Sequence, residues 1–365
     1  MKNLIKALVL AMPLLTLSAQ AADISDKLSI GGILAGTVQC QSLSNAPGYS
    51  DACAGAVPFK PEISFRPTDS DEVFAGFGFA AGNGLSPQSP FTFSNWAADQ
   101  EDDVRNINGR NRDYLLTAWY KHVFTYDNTR NLGVTFGIID ATNYLDENAY
   151  ANDEFTQFMN PVFTNAPNVF LPSYDVGTAV EWNNGPSSVR GVVMNIGEND
   201  DGNNYNFFGL QAGYKIQSAV GEGNYRVVIA GSSNEFLDPT ATSKESLIGG
   251  LISIDQQFGK QFGGFLRIGW QTEDAAVDYA AIYSGGVDIK GSAWGRSDDN
   301  IGLGYAYLSG GNNGIASTQI AEAYYRWQSG EVFGLTADIQ YLKDDNIIGP
   351  DPTGFVMGLR MTAEF

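Results

Sequence analysis

The side chains able to do chemistry crowd into one stretch of the chain. Asp140, Asn143, Asp146, Glu147, Asn152, Asp153 and Glu154 bring seven carboxylate or amide groups within fifteen residues. Tyr144, Tyr150, Phe155, Phe158, Phe163 and Phe170 share the same segment, which runs from Asp140 to Ser173. Carboxylates and amides held at fixed positions filter polar solutes by charge and hydrogen bonding. Six aromatic rings would not stay in water, so the segment is expected to fold inward against a wall and narrow a passage there. Packing of the same loop on a neighbouring subunit is the competing reading.

Bond-making chemistry is poorly supplied elsewhere. His122 is the only histidine, and no serine motif accompanies it to form a nucleophile–base pair. One histidine and two cysteines do not make a zinc site. Glu198, Asp200 and Asp201 lack the twelve-residue pattern of a calcium loop and read as a solvated acidic connection. Gly82-Asn83-Gly84 follows a strand pattern with no helix behind it, so it cradles no phosphate. The chain holds 21 basic against 41 acidic residues, a net charge of −20. That balance excludes nucleic-acid binding and docking on anionic headgroups through basic patches. The expectation is a protein that is no enzyme and uses no metal or cofactor.

The elements that must position these groups are strands. At the start, Lys2 and Lys6, the apolar run from Ala7 to Leu17 and the small residues of Ala19-Gln20-Ala21 read as a cleavable export leader over 1–21. The run is too short to span a bilayer, and no later segment approaches the roughly 20 apolar residues a helix would need. In an exported chain, Cys40 and Cys53 are expected to form a disulfide. From Lys27 onward apolar residues alternate with polar ones, most plainly in Phe355, Met357, Leu359, Met361, Ala363 and Phe365. Short connections (67–71, 127–131, 183–186, 218–223, 259–261, 295–300, 328–331) alternate with longer ones (40–56, 82–112, 140–173, 198–203, 234–245, 274–282, 309–317, 344–353). Sorting of connections by end is the mark of an outer-membrane barrel, which has short periplasmic turns and long external loops. The segments between them number about sixteen, enough to leave a water-filled lumen. The fold class is therefore all-β, a transmembrane antiparallel barrel over 22–365.

Period two also assigns faces. Lys60, Glu62, Ser64 and Arg66 face the lumen, with Phe59, Ile63 and Phe65 outward. Glu322, Tyr324 and Arg326 face in, and Arg267, Asp338 and Arg360 complete a ring. A lipid-facing Arg or Lys at mid-bilayer would cost about 2–4 kcal/mol, so alternate charges belong to the lumen first. Trp119 beside Lys121 offers an aromatic platform for a sugar, whereas Trp182, Trp270, Trp294 and Trp327 read as interfacial girdle. His122 falls on the outward set near the short-turn end.

Gly137-Ile138-Ile139-Asp140, the run Asp146 to Glu154 and Gln157-Phe158 resemble the third-loop segment of the carbohydrate-selective porins (OprB-like). Glu322 to Trp327 and Leu335 to Tyr341 resemble the last hairpins of that family. The resemblance covers most of the chain after the leader. It implies sixteen strands, sugar diffusion and a constriction of arginines, acids and aromatics. Asp140, Asp153 and Glu154 would sit in the matching loop, and Glu322 and Asp338 on the matching strands. Arg105, Arg110 and Arg112, in the preceding long loop, are fixed by no motif. Together these readings give an outer-membrane channel for small polar solutes, most of all carbohydrates. A general cation-preferring porin is the alternative. Expected partners are sugars, ions and outer-membrane lipid, with a homotrimer as the candidate assembly.

Overall fold

The computed structural model describes residues 22–365, and the expected leader lies outside the described residues. Sixteen strands form one antiparallel sheet that closes on itself. They are β1 (Leu28–Ser44), β2 (Ala52–Thr68), β3 (Asp71–Phe77), β4 (Leu115–Thr125), β5 (Arg130–Ile139), β6 (Asp175–Asn184), β7 (Ser187–Ile196) and β8 (Tyr205–Ser218). The second half comprises β9 (Gly221–Ser232), β10 (Ile248–Phe258), β11 (Phe262–Gln271), β12 (Tyr279–Lys290), β13 (Asn300–Gly310), β14 (Ile315–Ser329), β15 (Phe333–Asn346) and β16 (Thr353–Glu364). After a break at Gly78, Phe79–Ala81 continues the line of β3 on β2. β16 pairs with β1 from Glu364 opposite Ile33 to Thr353 opposite Ser44, which closes the barrel. Closure leaves no sheet edge, so the wall can stand in lipid with its backbone groups paired.

The alternation read from the sequence is the alternation of the wall. In β16, Phe355, Met357, Leu359 and Met361 are exposed on the outside, while Val356, Arg360 and Thr362 are buried inside. Ile63 and Phe65 of β2 are likewise exposed outside. His122 shares the outward set of β4 with Tyr120, and both reach Asp71 at the short-turn end, at 2.7 and 2.5 Å.

Connections sort by end, with two departures in length. The turn between β12 and β13 spans nine residues, 291–299, longer than expected. Asp299 organises it by accepting from Arg296 Nε at 2.5 Å, Tyr325 Oη at 2.5 Å and the Gln328 amide at 3.0 Å. The loop between β13 and β14 shrinks to 311–314, because both strands extend into the stretch expected to be loop.

The same extension changes the role of the disulfide. Cys40 and Cys53 are bonded and stand directly opposite each other across β1 and β2. They therefore staple a hairpin whose true loop is only 45–51, rather than the broad connection expected. The sequence separation is 13, for which chain-entropy arguments give a stabilisation of about 3 kcal/mol at most. We expect the double substitution Cys40→Ser, Cys53→Ser to lower the thermal unfolding transition in detergent while leaving the far-UV circular dichroism unchanged. Free thiols in the untreated exported protein would remove the bond.

Candidate functional site

The third external loop, 140–174, lies inside the barrel. Asp140 ties its two ends by accepting from Thr142 N at 2.9 Å, Thr142 Oγ1 at 2.7 Å and Ser173 Oγ at 3.1 Å. Midway, Asn160 caps the short helix Pro161–Thr164 by accepting the Val162 amide. Phe158 and Phe163 meet at a tilt, their ring centroids 4.8 Å apart, and pack on Phe265 of β11, and Phe158 also meets Tyr324 of β14 at 5.1 Å. Both rings are fully buried, each contributing about 1.5–3 kcal/mol. The wall makes room with glycine: a Cβ at Gly263 would fall 2.1 Å from the Tyr150 ring, and one at Gly304 would fall 2.9 Å from Phe158.

Four wall residues expected to form a lumen ring lie beneath this loop and hold it. Arg267 is 0% exposed. It donates to Asp146 Oδ1 at 2.8 Å and to the carbonyls of Asp146, Ala151, Phe163 and Thr164 at 2.6–3.2 Å. Asp146 itself sits at φ 58 and accepts the Ala166 amide at 2.8 Å on its other oxygen. Arg360, also 0% exposed, donates to the Glu154 and Gln157 carbonyls at 2.7 and 2.8 Å. Glu322 accepts the Met159 and Asn160 amides at 2.6 and 3.0 Å. Asp338 holds Gln340 at 3.0 Å, and Gln340 in turn receives Asn160 Nδ2 at 2.9 Å.

Beside the loop runs a cavity of about 980 Å³. Its lining includes Asp140 and Ser173 near the loop ends and Glu331 and Glu364 near the short-turn end, so it follows the barrel axis. Of the expected residues, Glu62, Asp140, Asn143, Asn152, Asp153 and Glu154 line it. Lys60 also lines it, bonded to Asp99 at 2.6 Å and Glu154 at 3.3 Å, with its ammonium 5.1 Å over the Phe155 ring. Tyr174 donates to Asp99 at 2.7 Å. Burial pushes the Asp140 and Glu154 carboxyls above their ordinary range, and it pushes the Tyr174 hydroxyl well above its own.

Other expected site residues lie elsewhere. Glu147 pairs with Arg190 at a separate polar pocket of about 260 Å³. Lys121 pairs with Glu181 at 2.5 Å, and Trp119 stacks on Phe74 at 4.9 Å. Arg66 bonds Glu72 at 3.1 Å, while Arg326 reaches Glu364 at 3.5 Å. Arg110 is anchored on Asp175 and Asn195, Arg112 on the Tyr174 carbonyl, and Arg105 on Glu101, so none of the three lines the cavity.

The second loop, 82–114, also enters the barrel, which the sequence reading missed. Trp96 donates to the Glu154 carbonyl at 2.6 Å and meets Phe155 edge-on, and Phe93 packs on Tyr279. Asp99, from this loop, completes the Lys60 cluster. The signal was present in Phe91, Phe93 and Trp96, rings as costly in water as those of the third loop.

The family of carbohydrate-selective porins, OprB family, matches residues 81–365. The chain belongs to that family. An uncharacterized protein of Aquifex aeolicus (strain VF5) is 28% identical over 272 residues, 74% of each chain. The high-pH structure of Pseudomonas putida OprB superposes with a TM-score of 0.71 at 15% identity, over 93% of this chain and 94% of that one. The outer membrane channel DcaP of Acinetobacter baumannii gives 0.55 at 12% identity, over 96% and 100%. This OprB-family barrel is thus an outer-membrane porin for small solutes, and the inward loops are the parts that narrow it.

Loop 3 of this porin depends on Arg267. Replacing it with Met strands the fully buried Asp146, a loss of about 3–5 kcal/mol. The expected result is a lower unfolding temperature with larger, noisier single-channel conductance. Conductance equal to that of the native barrel would mean that the aromatic contacts alone keep the loop in place.

Proposed function

We propose that the cavity beside loop 3 is the solute path, and that carbohydrates cross it by passive diffusion. The observation that carries this is a lumenal chamber lined by Asn143, Asn152, Asn165, Thr142 and Thr156 together with carboxylates and the Phe155 and Tyr174 rings. Amides and hydroxyls match sugar hydroxyls, and the rings offer apolar faces to the pyranose. Glu62, Asp140, Asn143, Asn152, Asp153 and Glu154 are the lining groups we assign to the path. In this reading the protein is no enzyme, is exported by the leader over 1–21, and rests with its exposed apolar face in lipid. A trimer would cover part of that face.

The excess of carboxylates over Lys60 in the lining favours a second reading, a general cation-preferring porin. Planar-bilayer conductance under a salt gradient, with added sugars, separates the two. Saturable block by sugars is the expected outcome, whereas steady current with a cation-selective reversal potential and no block would support the general porin. The pair Asp153→Asn, Glu154→Gln is expected to shift the reversal potential toward zero. An unchanged potential would place these acids outside the ion path.

A further inference from the structure

We propose that the chamber prefers polyhydroxylated cations, amino sugars above all, to neutral sugars of the same shape. The inference rests on the reading of this cavity as the solute path. Its lining contains seven carboxylates, Glu62, Asp99, Asp140, Asp153, Glu154, Glu331 and Glu364, against one ammonium, that of Lys60, and one of the seven, Glu364, is also reached by Arg326 at 3.5 Å. Lys60 is engaged by two of the seven, Asp99 at 2.6 Å and Glu154 at 3.3 Å, so it offers little positive charge to a solute. Glu62 makes no hydrogen bond or ion pair among the described residues and interacts with Lys60 only through the field. Asp153 receives the Phe155 and Thr156 amides on Oδ1, leaving Oδ2 without a partner among the described residues.

The chamber already shows how an ammonium is held. Lys60 Nζ lies between two carboxylates and 5.1 Å over the Phe155 ring, the arrangement a ligand cation seeks. A solute ammonium would find the same chemistry at Glu62 and Asp153. Hydroxyls have partners too: the amides of Asn143, Asn152 and Asn165 and the hydroxyls of Thr142 and Thr156 belong to residues that line the chamber. A bare metal cation would use the carboxylates and leave these groups unmet. A neutral sugar would use the hydroxyl partners and gain nothing from the field. An amino sugar uses both.

Glucose, N-acetylglucosamine and glucosamine separate shape from charge. In single-channel recordings at low salt and neutral pH, glucosamine is expected to reach half-block at a concentration about tenfold below the other two, in line with the focusing of cations by a charged cleft. The advantage should shrink toward unity at about 1 M salt, where screening acts within roughly 3 Å, and in Glu62→Gln, Asp153→Asn protein. The salt series needs no variant and decides the matter if the double substitution does not fold. Equal block by all three sugars overturns the preference and leaves the carbohydrate channel standing. Absence of block by any sugar, glucosamine included, overturns both.

Discussion

A closed sheet of sixteen strands cannot fill its own interior. Side chains from the wall meet across a barrel of about eight strands, but at twice that number they leave a water-filled space. Whatever packs inside must therefore be brought in from the connections, and a loop brought inside carries backbone amides and carbonyls out of water. Those groups need partners, since each one left unmet costs about 1–3 kcal/mol. The constraint explains why Arg267, Arg360 and Glu322, on the wall beneath loop 3, are almost wholly buried. Arg267 takes four loop carbonyls and Arg360 two, while Glu322 takes two loop amides. Short side chains could not reach, and a Lys would lack the forked donors that let one Arg hold several carbonyls at once.

The same constraint sets apart two groups among the charged residues of the lumen. One lies under the loop and is bonded to it, directly in Arg267, Arg360 and Glu322 and through Gln340 in Asp338. The other lies on the open side, among Glu62, Asp99, Asp140, Asp153 and Glu154 around Lys60. The division follows the path of the loop, which is held by β10 to β16 and leaves the wall of β1 to β4 facing the cavity. The aromatic contacts decide that path: Phe158 and Phe163 fit where Gly263, Gly304 and the Phe265 ring leave space.

How far this is readable without coordinates depends on the range of the interaction. Period two is local, so the strands, their faces and the barrel were legible, and Arg267, Arg360, Glu322 and Asp338 were rightly placed on the inner side. Alternation says nothing about what covers an inward residue, so the same four could not be told from residues in contact with solute. The aromatic content of loop 3 made its inward fold legible. Loop 2 escaped because its charged run, Asp99 to Arg105, reads as a solvated tip although Phe91, Phe93 and Trp96 precede it. The nine-residue turn at 291–299 escaped for a similar reason, since part of its cohesion comes from Tyr325 and Gln328 on β14, the strand beside β13.

The acidic balance of the chain, finally, is not spread evenly in its effect. Many of the acids build turns. Asp127 gathers Thr129 and Arg130, and Asp238 gathers Thr240, Thr242 and Ser243. Hydrogen bonds to these carboxylates hold both near a pKa of about 2, so they stay ionised and are already satisfied by their own loops. Asp140 and Glu154 stand in the opposite position, with burial driving their carboxyls upward. On acidification Asp140 and Glu154 therefore take up protons before the turn acids do. The field inside the passage weakens while the turns that hold the barrel's ends remain intact. A net charge of −20 thus bears on the cavity mainly through the few carboxylates that loop 3 leaves facing it.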